Sequence, residues 1–230
     1  MAQTIHGKTE LFTHFLGAAL PPEVAGVAEN SGTAAIKVGI EGGVAEITTG
    51  TTDGNRAHLS AGLNMKAASG SLVMEARVKC VTAITTRALF IGFTDSVAQE
   101  NPIELGASDA ITSTATDAVG FVYDTDAATD KWFAVGVKTN IDTALLAVNV
   151  KGAQQAPVAD KWQTFRVEVN ADGHAVFSFG QEGEGLQEIG RIANAVAPGV
   201  LLTPHVGIEA RTTAAQTAYV DFLGACGATA

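Results

Sequence analysis

Basic residues are scarce in this chain. Its 14 lysines and arginines stand against 24 aspartates and glutamates, for a formal net charge of −10. None of the basic residues forms a run. Nucleic-acid binders present a basic patch or stripe, and polybasic segments are what hold anionic lipid surfaces, so neither partner is expected. Cysteine is nearly missing, with only Cys80 and Cys226. The CxxC and Cys/His spacings that hold zinc are absent. Two buried thiols in a reducing compartment are the simple expectation, and one disulfide from a central strand to the C-terminal tail is the other arrangement. No apolar run approaches the roughly 20 residues of a membrane helix. The opening MAQTIHGKTELFTHFLGAALPPE has no basic region followed by a long apolar one, so it does not read as a secretory signal and folding in the producing cell's cytoplasm is expected. No fixed-period repeat is present, which disfavours propellers and solenoids.

What is there is alternation. In Leu72–Val81 the residues Leu72, Met74, Ala76, Val78 and Cys80 fall on one face, and Glu75, Arg77 and Lys79 on the other. A period of two marks a strand with one buried and one wet face. Arg87–Thr94, Ala118–Tyr123, Trp132–Lys138, Ala144–Lys151, Thr164–Val169, Ala175–Phe179, the stretch around Val206–Ala210, and Thr217–Leu223 read as further strands. Thr33–Val38 and Val44–Thr49 form a hairpin about Gly42-Gly43, and Asp172-Gly173 marks a second one. Thr51–Asn55 is a turn, and His58–Met65 continues a sheet. Asp95–Asp117, with Pro102 and many Ser/Thr residues, reads as a long polar loop. Leu11–Leu16 suits either one helical turn or an edge strand, and Gly190–Val196 is the other short helical candidate. The 25 glycines argue against long helices, where each costs about 1 kcal/mol. The fold class expected is all-β, a two-sheet antiparallel jelly-roll sandwich. Residues 1–10 form a loose arm, 11–225 the sandwich domain and 226–230 a tail.

Few residues offer chemistry. Asp124, Asp126 and Asp130 in DTDAATD have calcium-like spacing, but position six is Thr129 where the loop needs glycine and no distal glutamate follows, so a solvated hairpin turn is the expectation. Glu182 and Glu184 lie two apart, as a glycosidase pair on a strand would, yet QEGEGLQE is glycine-rich and reads as loop; Glu168 has no acidic partner two positions away. His6, His14, His58, His174 and His205 are scattered, with no HExxH pair and no GxSxG elbow. His174 reads as an exposed hairpin residue. Trp132 and Trp162 could stack on a sugar ring, but tryptophans at strand starts serve packing first. No catalytic residue, cofactor or metal is expected, and the chain reads as non-enzymatic.

The segments FxxFLGxxLP (Phe12–Pro21), MEARVKCVTAITTRALFIGFTD, TDAVGFVYDTDAATDKWFAVGV, WQTFRVEVNADGHAVFSF and the final TxYVDFL resemble a group of tailed-bacteriophage virion proteins with a concanavalin A-like jelly roll. Ile91–Asp95 and Ala118–Phe121 carry the likeness most specifically. The resemblance implies a structural virion protein, a capsid decoration protein on the outer surface of the head. Its partner would be the major capsid protein or another virion protein, in a homo-oligomer with a trimer as one arrangement. The alternative it implies is a carbohydrate-binding adhesion module of a head fibre, spike or tail, with Trp132, the 95–117 loop and the DTDAATD turn as contacts. It supplies no catalytic residue.

Overall fold

The computed structural model describes residues 8–81, 84–98 and 101–228. In chain order the strands are β1 (Lys8–Thr13), β2 (Ala25–Ala28), β3 (Thr33–Ile36), β4 (Ala45–Thr48), β5 (Arg56–Ser60), β6 (Met65–Lys66), β7 (Leu72–Val81), β8 (Arg87–Thr94), β9 (Ile103–Gly106) and β10 (Ala110–Ser113). They continue with β11 (Ala118–Asp124), β12 (Phe133–Lys138), β13 (Ile141–Ala147), β14 (Asn149–Val150), β15 (Ala153–Gln154), β16 (Trp162–Val169), β17 (Ala175–Gln181), β18 (Gln187–Ile192), β19 (Leu201–Ala210) and β20 (Thr217–Ala228). The first sheet has the order β18-β17-β16-β7-β20-β4-β3, with β1 also on β20; the second runs β13-β12-β11-β8-β19-β5-β2, with β6 on β19. Every pairing is antiparallel. The expected two-sheet sandwich is what the chain forms.

The alternating residues meet between the sheets. From the first come Met74, Ala76 and Val78 of β7 with Phe165, Phe177 and Phe179, and from the second Ile91, Phe93, Phe121, Val206 and Ile208. Phe121 stands edge-on to Phe165 and Phe177 at 5.1 and 5.5 Å between centroids. Burying each such ring contributes about 1.5–3 kcal/mol. At one end Arg87 crosses from the second sheet and donates to the Thr217 and Val81 carbonyls of the first.

The second sheet is also covered on its outer face. Phe90, Val122, Phe133, Val135 and Val137 point away from the main core and lie under Ile103, Leu105 and Ala115. This corrects the 95–117 expectation: the segment contains the β9–β10 ribbon, paired Ile103↔Ser113 to Gly106↔Ala110. Its Ser/Thr content hides two apolar residues, Ile103 and Leu105, spaced to face the sheet together. The same cover explains why β8 and β11 are buried at every position.

Other boundaries move for local reasons. Lys8–Glu10 and Cys226–Ala228, expected in a loose arm and tail, pair with each other as the outer ends of β1 and β20; residues 1–7 and 229–230 lie outside the described residues. Leu11 belongs to that strand and Phe15 to a turn beyond it, so no helical turn forms at 11–16. Gly190–Val196 is not helical either: Gly190 faces Phe177 within β18, where a register shift accommodates it. The 144–151 strand begins earlier, at Ile141, because Thr139 and Asn140 both adopt positive φ and turn the chain tightly. His58–Met65 is broken, since β5 stops at Ser60. The β3–β4 hairpin and the 172–173 turn stand as expected.

Candidate functional site

The DTDAATD carboxylates do different jobs. Asp124 ends β11 and is fully buried on the outer face of the second sheet. Arg211, just past β19, grips it with two bonds, Nε to Oδ1 at 3.0 Å and Nη2 to Oδ2 at 2.6 Å. The backbone N–H groups of Leu105 and Asp126 donate to the same carboxylate. Its acceptor sites are therefore occupied, which leaves no place for a cation, and the solvated-turn expectation fails for Asp124 while Asp126 and Asp130 remain exposed.

Around this pair lies a closed charge network. Arg211 Nη1 donates to Glu209 at 2.6 Å, Arg56 Nε donates to Glu209 at 2.7 Å, and Arg56 Nη2 donates to Glu104 at 3.0 Å. Two guanidiniums here serve three carboxylates, so full ionisation would leave a buried negative charge. Burial pushes Glu209 up to about 7 against the pull of Arg56 and Arg211. For Glu104 burial also acts upward, but the hydrogen bond from Glu209 and the guanidiniums outweigh it and hold it low. Burial thus favours the protonated form at Glu209, while Glu104 is held as the carboxylate. Glu209 is 1% exposed, so no substrate can reach its carboxyl. The network fastens β9 to the sheet.

His58 and His205 are brought together on neighbouring strands, their rings 4.6 Å apart and 30° from parallel. Both are buried, and burial lowers both pKa values, that of His58 to about 4. The ring nitrogens Nε2 of His58 and both of His205 have no protein partner among the described residues. This pair was not legible beforehand, since 147 positions separate them; the signal was only that each occupies a polar slot in an apolar alternation. His14 lies elsewhere, between Phe12 and Phe222, and His6 is outside the described residues.

His174 lines a surface depression of about 470 Å³ with Ser71, Glu168 and Arg191. Its Nδ1 accepts the Asn194 N–H at 2.9 Å. The neutral ring therefore carries its proton on Nε2. A histidine in that tautomer cannot take a proton from a serine through Nε2, so His174 and Ser71 do not form a nucleophile–base pair. Glu182 and Glu184 sit in the β17–β18 turn and pair with Lys161 and Lys151. Glu168 faces outward and pairs with Arg166, which also holds Glu75. Among the described residues no group of three or more His, Cys, Asp or Glu could hold a metal.

The tryptophans part company. Trp132 is buried, donates its indole N–H to Gln163 at 3.0 Å and packs on Phe165, so it cannot be a ligand contact. Trp162 is half-buried on the outer face of the first sheet, 5.0 Å from the Arg77 guanidinium and 4.9 Å from the Lys79 ammonium. Lys79 lies opposite both Trp162 and Tyr219 in the ladder, and its ammonium is 5.3 Å from the tyrosine ring. Cys80 is buried and Cys226 exposed, both free. They face Ala218 and Val73 respectively, seven positions apart on β7, or about 24 Å, far beyond disulfide reach. At the β1 corner large apolar side chains are exposed: Phe12 at 62%, Leu16 at 76% and Val38 at 89%. Leu16 and Val38 share the rim of one depression, and Phe12 leans on Phe222.

No protein-family model matches the chain, and no curated protein sequence does. Solved structures do match over nearly the whole length. A protein of unknown function from Shewanella oneidensis MR-1 is 13% identical over all of this chain and 90% of its own, with a TM-score of 0.64. Peanut lectin is 9% identical over 95% and 97% of the two chains, TM-score 0.62. Lectin II from Ulex europaeus is 10% identical over 95% and 98%, TM-score 0.60. Such likenesses show the fold, a concanavalin A-like jelly roll.

Proposed function

We propose that the chain is a non-catalytic structural protein of a tailed-bacteriophage particle, docked as a decoration protein on the outer surface of the head. The carrying observation is the exposed apolar corner of Phe12, Leu16 and Val38. Leu16 and Val38 border one depression and Phe12 another beside β1, and clustered exposed apolar side chains mark a protein contact. That corner lies within or beside the FxxFLGxxLP segment, which is part of the virion likeness. The candidate acids Asp124, Glu168, Glu182 and Glu184 support the same reading, since each is held in the charge network or in a surface ion pair. The partner is the major capsid protein or a neighbouring virion protein, reached by a homo-oligomer on the particle surface. Contact with nucleic acid or membrane is not part of the proposal.

The test mixes purified protein with undecorated heads of the phage that encodes it and measures co-sedimentation. Saturable binding is expected, with a loss of tenfold or more for Phe12→Asp combined with Leu16→Asp while the melting temperature holds. Absence of binding by the unaltered protein at micromolar concentration overturns the proposal. So does equal binding by the double variant.

A further inference from the structure

On the outer face of the second sheet, His58 of β5 stands across from Gly207, and His205 of β19 stands across from Ser60 and Gly92. The bare backbone at Gly207 lets the two rings meet. A Cβ there would come within 2.6 Å of His205 Nε2 and 3.6 Å of the His58 Cβ. The pair is sealed, with His58 2% exposed and His205 0%. Three of its four ring nitrogens find no protein partner among the described residues. An unpaired buried polar group costs about 1–3 kcal/mol, and an apolar pair would fill the same space without that cost. What the imidazoles add is the capacity to take up protons.

The cover beside the pair is weakly secured. β9 and β10 pair only with each other, as a ribbon outside both main ladders, and a two-stranded ribbon has little stability of its own. Through Ile103 and Leu105 it rests on Phe90, whose ring lies 6.0 Å from that of His205. The bond from Arg56 to Glu104 ties it down next to His58. Asn101, leading into β9, is buried, and neither polar atom of its side chain has a protein partner among the described residues. β5 and β19, by contrast, lie inside the main ladder of the second sheet.

No free carboxylate stands ready to balance a charge on the pair. On β5 the charged neighbour is Arg56, a cation, and on β19 it is Glu209, where burial favours the neutral form. Glu104 from the ribbon and Asp124 from β11 are committed to Arg56 and Arg211. β8 and β2 present Phe90, Gly92, Ala25 and Val27 beside the pair, none of them charged. Glu29, beyond β2, accepts the Arg56 backbone N–H, and Asp95, beyond β8, accepts that of Thr116. Glu23 is exposed at the rim of the depression that holds Val27 and Ser60. An imidazolium here is therefore buried without a counter-ion, and a second one 4.6 Å away repels it.

We propose that His58 and His205 form an acid-operated latch: protonation of the pair lifts the β9–β10 ribbon off the second sheet while the core between the sheets stays closed. Opening lets water reach the imidazolium rings and removes the penalty of burying them. Burial lowers the pKa of both histidines, that of His58 from 6.5 to about 4. The open form binds protons with the ordinary affinity, so it gains on the closed form as pH falls below 6.5. The surface uncovered is apolar, formed by Phe90, Val122, Val135 and Val137. The latch lies on the other sheet from Phe12, and its argument uses none of the head-docking proposal.

The test is hydrogen exchange of the full chain from about pH 7 down to about pH 4.5, corrected for the intrinsic rate at each pH, with binding of an apolar-surface dye followed in parallel. Amides of Ile103–Ser113 should lose protection about tenfold or more, the effect of one pKa unit of linkage. Amides of β7 and β16 should keep theirs, and dye fluorescence should rise. His58→Gln combined with His205→Gln should hold the ribbon protected in acid; His205→Gln alone decides if the double variant does not fold. Unchanged ribbon protection in the parent at the acid end overturns the proposal. So does a simultaneous loss of protection in β7 and β16, which is unfolding of the whole, or an equal acid response in the variant. Binding to heads enters none of these readings, so this proposal and the docking proposal can fail separately.

Discussion

At the scale of single residues, the most consequential side chain is Arg211. It is one of two guanidiniums holding three buried or nearly buried carboxylates, and the only one that reaches Asp124. Taking away one partner of a buried pair leaves an uncompensated charge, which costs about 3–5 kcal/mol. Arg211→Ala should therefore destabilise the protein by about that much in urea unfolding. Asp124→Asn in the same background should recover part of the loss, because the amide needs no counter-ion. Equal stability of Arg211→Ala and the parent would show that water, not the guanidinium, satisfies Asp124. None of this was visible in DTDAATD: spacing reveals how many carboxylates are present, but not that an arginine 87 positions on reaches the first of them.

At the scale of elements, β5 and β19 bring together groups whose titrations oppose one another. His58 is held near 4 when folded, against about 6.5 when unfolded. The unfolded chain binds more protons between those values, so this contribution to stability is present above pH 6.5 and is lost as pH falls toward 4. At full size it amounts to roughly 3 kcal/mol, as 2.5 pK units at about 1.4 kcal/mol each. Glu209 works the other way. Its folded value near 7 lies above its unfolded 4.5, so its contribution is present at low pH and is lost as pH rises from 4.5 through 7. Chemical denaturation across pH 4–8 should show His58→Gln flattening the acid-side loss and Glu209→Gln removing the decline toward pH 7. Unchanged slopes in both variants would mean that neither group is desolvated as described. The strands themselves were the legible part. In β7 and β16 the alternation sits on the residues that are buried, Met74 and Val78, Phe165 and Val167. Legibility failed where alternation serves a second, smaller core. Ile103 and Leu105 are a short signal inside a polar stretch, and only the apolar outer face of β8 and β11 gives them something to cover.

At the scale of the whole molecule, the sandwich keeps its two thiols permanently apart. Cys80 points into the core and Cys226 outward at the far end of the same ladder. A thiol reagent should therefore label one site quickly in the native protein and a second only after unfolding, with no change in mass on reduction. Rapid labelling of both sites would mean that β7 is open on the timescale of the reaction. The aromatic row on the first sheet follows the same division between local and global. That Trp162 and Lys79 lie on strands can be seen in the chain. That Tyr219, on the final strand, completes their row depends on β20 lying beside β7, a pairing between segments about 140 residues apart that no local pattern encodes.

That last strand has one more consequence. β20 pairs with β7 along most of its length, and on its other side with β4 and then β1, so that Lys8 stands directly across from Ala228. Antiparallel partners are about 5 Å apart. A bridge of a few glycines from Ala228 to Lys8, replacing residues 229–230 and 1–7, would join the two strand ends into a ring, and new ends could be opened at the Gly183 turn without unmaking either layer.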